Sequence, residues 1–416
     1  MAAVDELVRA PARAATSRGY QVLLVGLLSL NFGILFFDRN ALNFLMPFVK
    51  PDLGLSNTQV GLTASALSFS WAIATIVIGA VSDRSGRRKP LLIAATFAYS
   101  LCSVLSGLAG TFLALFGARL LMGIADGGVA PISQSMTALA VPPERRGLAM
   151  GVMQNFGSNL LGSFVAPVAL VSIATAFGWH RAFFITGLPG LFCAVLIWLF
   201  VREPQQQAHE TGSSESFATR FRTILQDRNI ILCGLISILL VSYLVVCWAF
   251  MPLFLTSVRK FSPGAMSWLM GALGISSTVG SIIVTGISDR IGRKPVMIVT
   301  SFMGVILPLG AIYFQGSVWI LAAMFCLGWA LTSIFPLFMG TVPSESVAPR
   351  YMATAIAMVM SVGEIIGGVF APTLAGRAAD ASGLAAPLWI MLGLCLAAGM
   401  LALFLRETAP ARLAAR

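Results

Sequence analysis

The sequence predicts an all-α membrane protein whose twelve transmembrane helices are arranged as two six-helix bundles. Three observations support this prediction: a very apolar composition, long apolar runs along the whole chain, and one basic loop that occurs twice. Hydrophobic residues make up 57% and charged residues only 10% of the 416 residues, whereas soluble domains carry about 25% charged residues. The mean hydropathy of +0.88 agrees with a membrane protein.

Each predicted helix is an apolar run of about 20 residues, the length that crosses a hydrocarbon core of about 30 Å. The runs cover residues 20–48, 57–81, 90–110, 112–137, 147–170, 180–201, 229–256, 264–288, 295–315, 317–340, 351–375 and 384–405. The first 19 residues carry scattered arginines without a separate apolar region and cleavage site. They are therefore predicted to be a tail and not a signal peptide.

These runs divide the chain into five parts. We expect a cytoplasmic tail at residues 1–19, a first bundle at 20–201, a cytoplasmic linker at 202–228, a second bundle at 229–405 and a second tail at 406–416. Within the linker, Phe217, Phe221, Ile224 and Leu225 share one helical face, which suits a short helix in the headgroup layer. A flexible tether is the alternative interpretation.

An internal repeat relates the two bundles. The loop Ser82–Pro90 has the sequence SDRSGRRKP, and Ser288–Pro295 has SDRIGRKP. Beyond the loops, Ala166-Pro167 recurs about 205 residues later as Ala371-Pro372. Prolines at the same depth of corresponding helices indicate shared kinks. A repeat of this kind predicts the duplication of a six-helix unit.

The basic residues are distributed unevenly between the two sets of loops. With the amino terminus inside, 20 of the 27 lysines and arginines fall on the cytoplasmic side, five on the opposite side and two within the membrane. Because cytoplasmic loops carry an excess of Lys and Arg, this asymmetry predicts cytoplasmic termini in an inner (cytoplasmic) membrane protein. The net charge of +11 therefore follows from topology, and no nucleic-acid partner is expected.

All six cysteines lie within predicted helices, away from extracellular loops where a disulfide forms, and their spacing matches no metal site. We therefore expect neither a metal nor a cofactor, and a monomer in the lipid bilayer. An intramembrane enzyme is disfavoured, since the sequence has no Ser/His/Asp set, paired-histidine spacing or phosphate loop.

The repeated basic loop combines its cations with an ordered acid and a glycine. An ionised Asp83 can accept hydrogen bonds from a neighbouring helix N-terminus and pair with arginine, and Gly86 permits a sharp turn. Such a latch would hold the bundle in one conformation and release it in another. The residues predicted to act in gating are Gly79, Asp83, Arg84, Gly86, Arg87, Asp289, Arg290, Gly292 and Arg293. The alternative is a plain cytoplasmic anchor, for which the cations alone would suffice.

Five ionisable residues lie inside predicted helices: Asp38, Arg39, Arg119, Asp126 and Glu364. An unpaired charge at a helix centre costs about 2.5–3.5 kcal/mol, so these side chains should face a cavity or each other. Two arginines on neighbouring helices suit a planar carboxylate, and buried carboxyls suit proton carriage because desolvation favours their neutral form. Three acids against two cations leave no charge to balance an entering anion, which would couple anion entry to proton entry. The alternative is that Asp38–Arg119 or Arg39–Asp126 are fixed structural ion pairs.

The second bundle has a different character at the corresponding positions. About 205 residues after Asp38 the chain has Tyr243, and Trp248 belongs to the same aromatic, largely uncharged wall. Cations on one side and rings on the other suit an amphipathic carboxylate, either aromatic or a sugar acid, although such aromatics also serve as packing or lipid contacts. The predicted substrate contacts are Arg39, Arg119, Asn43, Tyr243, Trp248, Asn159 and Glu364, and the predicted proton-coupling residues are Asp38, Asp126 and Glu364.

The basic loop resembles the signature of the major facilitator superfamily, and the duplication extends this resemblance over the whole chain. The second copy departs from the pattern, because Thr285 stands where the first copy has Gly79. The resemblance implies alternating access, in which two six-helix halves rock around a site at the membrane midplane.

Two further stretches, Phe37–Leu42 (FDRNAL) and Arg119–Asp126 (RLLMGIAD), resemble the anion:cation symporter family, as do Pro131 and Glu144–Gly147. That family includes carriers of sugar acids, aromatic acids and glutamate. The resemblance implies that the helix 1 and helix 4 arginines, here Arg39 and Arg119, bind the organic anion. It likewise implies that the acids of the same two helices handle protons. The family more often has glutamate where this chain has Asp126.

The sequence therefore predicts proton-coupled symport of a small organic anion. One alternative is a proton-driven efflux antiporter, but the Gly-Pro-x-x-Gly-Gly ending of helix 5 typical of that class is replaced here by Ala166–Leu170 (APVAL). Another is a membrane sensor without flux, for which the sequence offers no added signalling domain.

Overall fold

A computed structural model of the protein describes residues 17–203, 223–348, 351–409 and 412. Within these residues the chain is almost entirely helical, because the backbone of a segment in hydrocarbon must satisfy its own hydrogen bonds. Residues 1–16 of the first tail and 204–222 of the linker lie outside the described residues, and with them Phe217 and Phe221 of the predicted linker helix. Of its other two residues, Ile224 is buried and Leu225 is exposed.

Six helices make up the first half. They are α1 (Arg18–Asp52), α2 (Asn57–Ser85), α3 (Arg88–Gly107), α4 (Phe112–Gly127, continued by Val129–Ala140), α5 (Pro143–Gly151, the π-helical segments Val152–Phe156 and Ser158–Val165, and Ala166–Phe177) and α6 (Trp179–Phe200).

Six more make up the second half. They are α7 (Arg228–Leu253, continued by the π-helical Phe254–Val258), α8 (Pro263–Ile291), α9 (Arg293–Met303 and Ile306–Tyr313), α10 (Val318–Trp329, Ala330–Ile334, Leu337–Thr341 and Val342–Ser346), α11 (Met352–Val362, the π-helical Gly363–Gly368, and Val369–Ser382) and α12 (Ala386–Ala402).

The twelve helices agree with the predicted spans. Eleven of them are long and apolar enough to cross a bilayer in the part of the chain that the structure describes, and Ala386–Ala402 is a shorter apolar helix. The all-α membrane fold predicted from the apolar runs is therefore confirmed.

The internal repeat is visible in the packing as well as in the sequence. A Cβ at Gly162 in α5 would lie 2.5 Å from the Cβ of Phe36 in α1, and one at Gly367 in α11 would lie 2.7 Å from the backbone oxygen of Ile238 in α7. Both glycines lie in π-helical segments that pack directly on the first helix of their half. Small residues allow helix backbones to approach this closely in membranes.

The two halves are joined at the end of the molecule opposite the basic loops. The Asp380 carboxylate of α11 accepts hydrogen bonds from the backbone N–H groups of Asn57 and Thr58 at 2.9 and 2.8 Å, and from the Thr58 hydroxyl at 2.6 Å. An acid from the second half thus caps the N-terminus of α2, where the helix dipole favours negative charge. Nearer the centre, the hydroxyls of Ser65 and Thr373 lie 2.8 Å apart.

Candidate functional site

A cavity of about 310 Å³ lies between the two halves, with residues of α1, α2, α4 and α5 on one side and of α7, α8, α10 and α11 on the other. Six of the predicted substrate contacts line it: Arg39, Asn43, Arg119, Asn159, Trp248 and Glu364. A cavity of this volume suits a small organic molecule of the size of one ring with its substituents.

Arg39 projects from α1 into the cavity over aromatic rings. Its guanidinium carbon lies 5.1 Å from the ring centre of Trp71 and 5.9 Å from that of Phe36. These cation–π contacts hold the guanidinium in place. Arg39 makes no hydrogen bond to a described residue, so its N–H donors are available to a ligand. Sequence reasoning missed both supporting rings.

Arg119 lines the deeper part of the cavity and is almost fully buried. One of its terminal nitrogens donates to the Ser106 hydroxyl at 2.9 Å, the other contacts the Met122 sulfur at 3.1 Å, and its Nε has no partner. Phe183 lies beneath the guanidinium, 5.4 Å from its central carbon. Arg119 is thus held in place but retains unused donor capacity.

The two acids of the first half lie behind the cavity, not on its surface. Asp38 and Asp126 are buried, and both oxygens of each carboxyl lack a hydrogen bond of regular geometry. The polar neighbours of Asp38 are the hydroxyls of Ser103 and Thr186 and the Arg119 guanidinium. Those of Asp126 are Arg39, Asp38 and Arg119.

The geometry does not contain the fixed ion pairs that were the alternative interpretation. Asp38, Arg39, Arg119 and Asp126 all belong to the described residues, and the ion pairs found within that part of the chain lie elsewhere. Each acid thus interacts electrostatically with a nearby arginine but forms no ion pair with it. An ionised carboxylate in this position would be poorly compensated.

Trp248 and Trp329 dominate the cavity wall in the second half. Their rings meet edge to face at 5.3 Å, and Trp329 donates from Nε1 to the Ser277 hydroxyl at 2.9 Å. Phe44 of α1 meets the other side of Trp248 at 5.5 Å. The predicted aromatic wall is present, and its orientation is set by these contacts.

Tyr243 does not belong to that wall. Its side chain is fully buried, lies outside the cavity lining and donates a hydrogen bond to the backbone oxygen of Gly304 at 2.8 Å. Pro308, four residues after Gly304, has no N–H to satisfy that oxygen, so the tyrosine replaces a missing helical hydrogen bond. Tyr243, predicted as a substrate contact, therefore belongs to the core of the second half and not to the cavity lining.

The residues predicted to act in gating lie in two unequal basic loops. In the second loop, Arg293 contacts Asp289 and donates to the Ser288 hydroxyl at 2.8 Å and to Glu345 at 3.1 Å; Gly292 has a φ of 111° and Arg290 is exposed.

In the first loop, Gly86 is left-handed, with a φ of 66°, and caps α2. Arg84 and Arg87 are exposed, and the side chain of Asp83 lies outside the described ones. A Cβ at Gly79 would lie 3.8 Å from Pro131, so this glycine is not required for close packing here.

The helix N-termini after these loops are capped by acids that the sequence analysis did not single out. Glu203 accepts from the N–H groups of Arg88 and Lys89 at 2.6 and 3.0 Å, and Glu407 from those of Arg293 and Lys294 at 2.8 and 3.2 Å. The aspartate was expected to accept from a helix N-terminus, but in the second loop Glu407 does so. The signal was present in the sequence as the repeated Leu-Phe-x-Arg-Glu at the end of each half.

Two curated relatives are transporters of organic acids by name. A hexuronate transporter of Bacillus subtilis (strain 168) is 29% identical over 63% of this chain and 64% of its own length, and a gallate transporter of Pseudomonas putida is 28% identical over 88% of this chain and 87% of its own. The chain spans less than two thirds of the length of the first curated relatives it matches.

The fold has a close counterpart among solved structures. An inward-facing, unoccupied bacterial homologue of the human lysosomal transporter Spinster superposes with a TM-score of 0.71 at 19% identity, over 94% of this chain and 95% of that chain. The family model of the Major Facilitator Superfamily matches residues 28–368 and 246–416, which together take in most of the chain. This protein therefore belongs to the Major Facilitator Superfamily.

Proposed function

We propose that the protein is a secondary active transporter that carries a small organic anion across the cytoplasmic membrane in symport with protons. The observation that carries the proposal is the charge arrangement at the cavity. Two arginines line it without an ion-paired acid, and two buried carboxyls with unpartnered oxygens lie directly behind them. The names of the hexuronate and gallate transporters support an organic acid as the substrate.

The arginines supply the anion site. Arg39 presents a guanidinium that is held by cation–π contacts and makes no hydrogen bond to a described residue, and the Nε of Arg119 has no partner. A guanidinium binds a carboxylate through two parallel hydrogen bonds, so a pair of them fixes both position and orientation. The aromatic wall across the cavity would then contact the apolar body of the substrate.

The acids supply the coupling to protons. When an anion occupies the cations, the compensation that those cations give Asp38 and Asp126 falls, and an ionised carboxylate in this buried place becomes more costly. Protonation removes the cost, so anion and proton occupancy favour each other. Alternating access would expose the loaded site to one face and then the other as the halves rock, with the Asp380 cap of α2 broken when the closed end opens.

The test is uptake into proteoliposomes that contain the purified protein and carry an imposed pH gradient. A panel of gallate, galacturonate, benzoate and a dicarboxylate is offered as labelled substrates, and we expect accumulation of at least one, abolished by a protonophore. Arg39→Ala should reduce that uptake at least about thirtyfold, since truncating one partner of a buried charged pair costs about 2 kcal/mol or more.

The matched control is Arg181→Ala, which removes an exposed arginine in α6 at the end opposite the basic loops. Arg39→Lys, which keeps the charge but loses the planar fork, should transport at an intermediate rate. Wild-type uptake of none of these anions, or an Arg39→Ala rate equal to that of Arg181→Ala, would contradict the proposal. Proton-driven extrusion of a cationic drug would favour the efflux alternative.

A further inference from the structure

Glu364 is an acid that lines the cavity from the second half. It lies in the π-helical segment Gly363–Gly368 of α11, and its carboxylate makes no hydrogen bond to a described residue. A Cβ at Gly368 would lie 3.2 Å from Glu364 Oε2 and 3.4 Å from the Cβ of Ser68 in α2. The carboxylate thus lies close to the contact between α2 and α11.

The backbone that carries Glu364 is held firmly. Gly367 lies so close to α7 that an added Cβ would be 2.7 Å from the backbone oxygen of Ile238, and a Cβ at Gly363 would be 2.1 Å from the Ser237 hydroxyl oxygen. Groups built on packed helices are positioned more accurately than groups on loops. Glu364 is therefore presented to the cavity at a defined place.

The rest of the second-half wall offers a ligand few hydrogen-bond acceptors. Val241, Leu244 and Val245 are apolar, and the hydroxyl of Ser277 is already engaged by Trp329 Nε1 at 2.9 Å and by Thr332 at 3.1 Å. A hydrogen-bond donor of the substrate on this side is therefore satisfied by the Glu364 carboxylate, since the indole N–H of Trp248 is itself a donor. An ionised carboxylate only accepts hydrogen bonds.

We propose that Glu364 determines substrate specificity: the transported anion is a monocarboxylate with a hydroxyl group remote from its carboxylate, and dicarboxylates are rejected. The inference rests on the proposed function, because it assumes that Arg39 and Arg119 bind the carboxylate. A remote hydroxyl donates to Glu364, whereas a second carboxylate at that place meets a like charge in a desolvated site. An unsubstituted apolar end leaves the acid without a partner.

The experiment compares three ligands that differ only at the position opposite the carboxylate: benzoate, 4-hydroxybenzoate and terephthalate. Binding to the purified full-length protein is measured by thermal stabilisation and by competition with the anion transported in proteoliposomes. For the wild type we expect 4-hydroxybenzoate to bind roughly tenfold more tightly than benzoate, the effect of one hydrogen bond to a charged group. Terephthalate should bind more weakly than either.

Two variants separate charge from hydrogen bonding. Glu364→Gln keeps the shape and an accepting oxygen, so it should still bind 4-hydroxybenzoate while its discrimination against terephthalate falls roughly tenfold. Glu364→Leu should lose the preference for the hydroxyl. Asp52→Asn, which removes a carboxylate bonded to Trp179 Nε1 and outside the cavity lining, is the charge control and should leave the ligand ranking unchanged.

The outcomes distinguish the two proposals. If the wild type binds several carboxylates without ranking these three ligands, or Glu364→Gln ranks them as the wild type does, the specificity role is wrong while the proposed function stands. Loss of pH-gradient-driven uptake in Glu364→Gln with unchanged ligand ranking would make Glu364 a proton carrier instead. Failure of the wild type to bind any carboxylate would overturn both.

Discussion

The two halves of this protein use the same three core positions in opposite ways. In the first half they are Asp38, Arg119 and Asp126, and about 205 residues later they are Tyr243, Met324 and Leu331. Five side-chain atoms of the charged set, both oxygens of each acid and the arginine Nε, make no hydrogen bond of regular geometry. In the uncharged set the one polar group, the Tyr243 hydroxyl, donates to Gly304 at 2.8 Å.

The uncharged copy shows that the six-helix framework does not need charges at these places. Leaving a buried polar group unsatisfied costs about 1–3 kcal/mol, and more when the group is charged. This sequence keeps such groups in the first half and has uncharged residues at the same positions of the second half. The energetic cost is therefore confined to the half in which the charges serve a function. The comparison thus favours a transport role for the charges over a structural one. Each of the following predictions removes a charge or a hydrogen bond by which the two halves differ.

The largest effect is expected for Arg119→Met, which gives the first half the residue of the second. Asp38 and Asp126 lose a neighbouring cation, and removing one partner from a buried charge cluster costs about 3–5 kcal/mol. Uptake should be lost, and the purified variant should unfold at a lower temperature than the wild type. Because protonation neutralises the acids, the loss of stability should be larger at pH 8 than at pH 5.

The control for this variant removes the acids as well. Arg119→Met combined with Asp38→Asn and Asp126→Asn leaves an uncharged cluster, as in the second half, and should recover much of the thermal stability without recovering uptake. An Arg119→Met protein as stable as the wild type at both pH values would show that the three charges do not interact, and the comparison would fail.

The sequence was sufficient to predict the architecture and the charged residues that line the cavity. The number of helices follows from the apolar runs of bilayer length. The candidate cavity residues follow from the few charges inside those runs, because a charge within the membrane is costly unless it faces a cavity or a partner. The cavity brings Arg39, Arg119, Asn43, Asn159 and Glu364 together as the repeat and the helix positions had indicated.

What the sequence could not supply was the rotation of each helix about its axis. Trp71 supports Arg39, and Phe183 supports Arg119, but in an apolar helix such rings look like any lipid-facing aromatic. Tyr243 instead donates to the carbonyl of Gly304, which Pro308 leaves without a helical donor. This relation joins two different helices, so no local sequence pattern contains it. The acids that cap the helices after the basic loops lie more than 100 residues from their partners.

A smaller but more specific effect is expected for the acids. Asp38→Asn and Asp126→Asn keep the size of each side chain but cannot take up a proton, so a pH gradient should no longer drive accumulation. Exchange of labelled for unlabelled substrate should persist, because the arginines remain. The measurement is uptake at equal and unequal pH in the same proteoliposomes.

Tyr243→Phe is the matched control for Asp38→Asn, since it changes one polar group at the corresponding position of the other half. It should retain full pH-gradient-driven uptake. If both aspartate variants responded to the gradient as Tyr243→Phe does, neither acid would carry the proton, and the asymmetry between the halves would concern the anion alone.

The smallest effect concerns the stability of the second half. Tyr243→Phe leaves the Gly304 carbonyl unsatisfied, which should cost about 1–2 kcal/mol and lower the unfolding temperature by a few degrees. Pro308→Ala restores an N–H four residues after Gly304, so in that background the carbonyl has a helical donor and Tyr243→Phe should cost less. The thermal unfolding of the wild type, both single variants and the double variant forms a double-mutant cycle. Equal costs of Tyr243→Phe in both backgrounds would mean that the hydroxyl does not replace the hydrogen bond lost at Pro308. The presence of Tyr243 at this uncharged position of the second half would then need an explanation other than the Gly304 carbonyl.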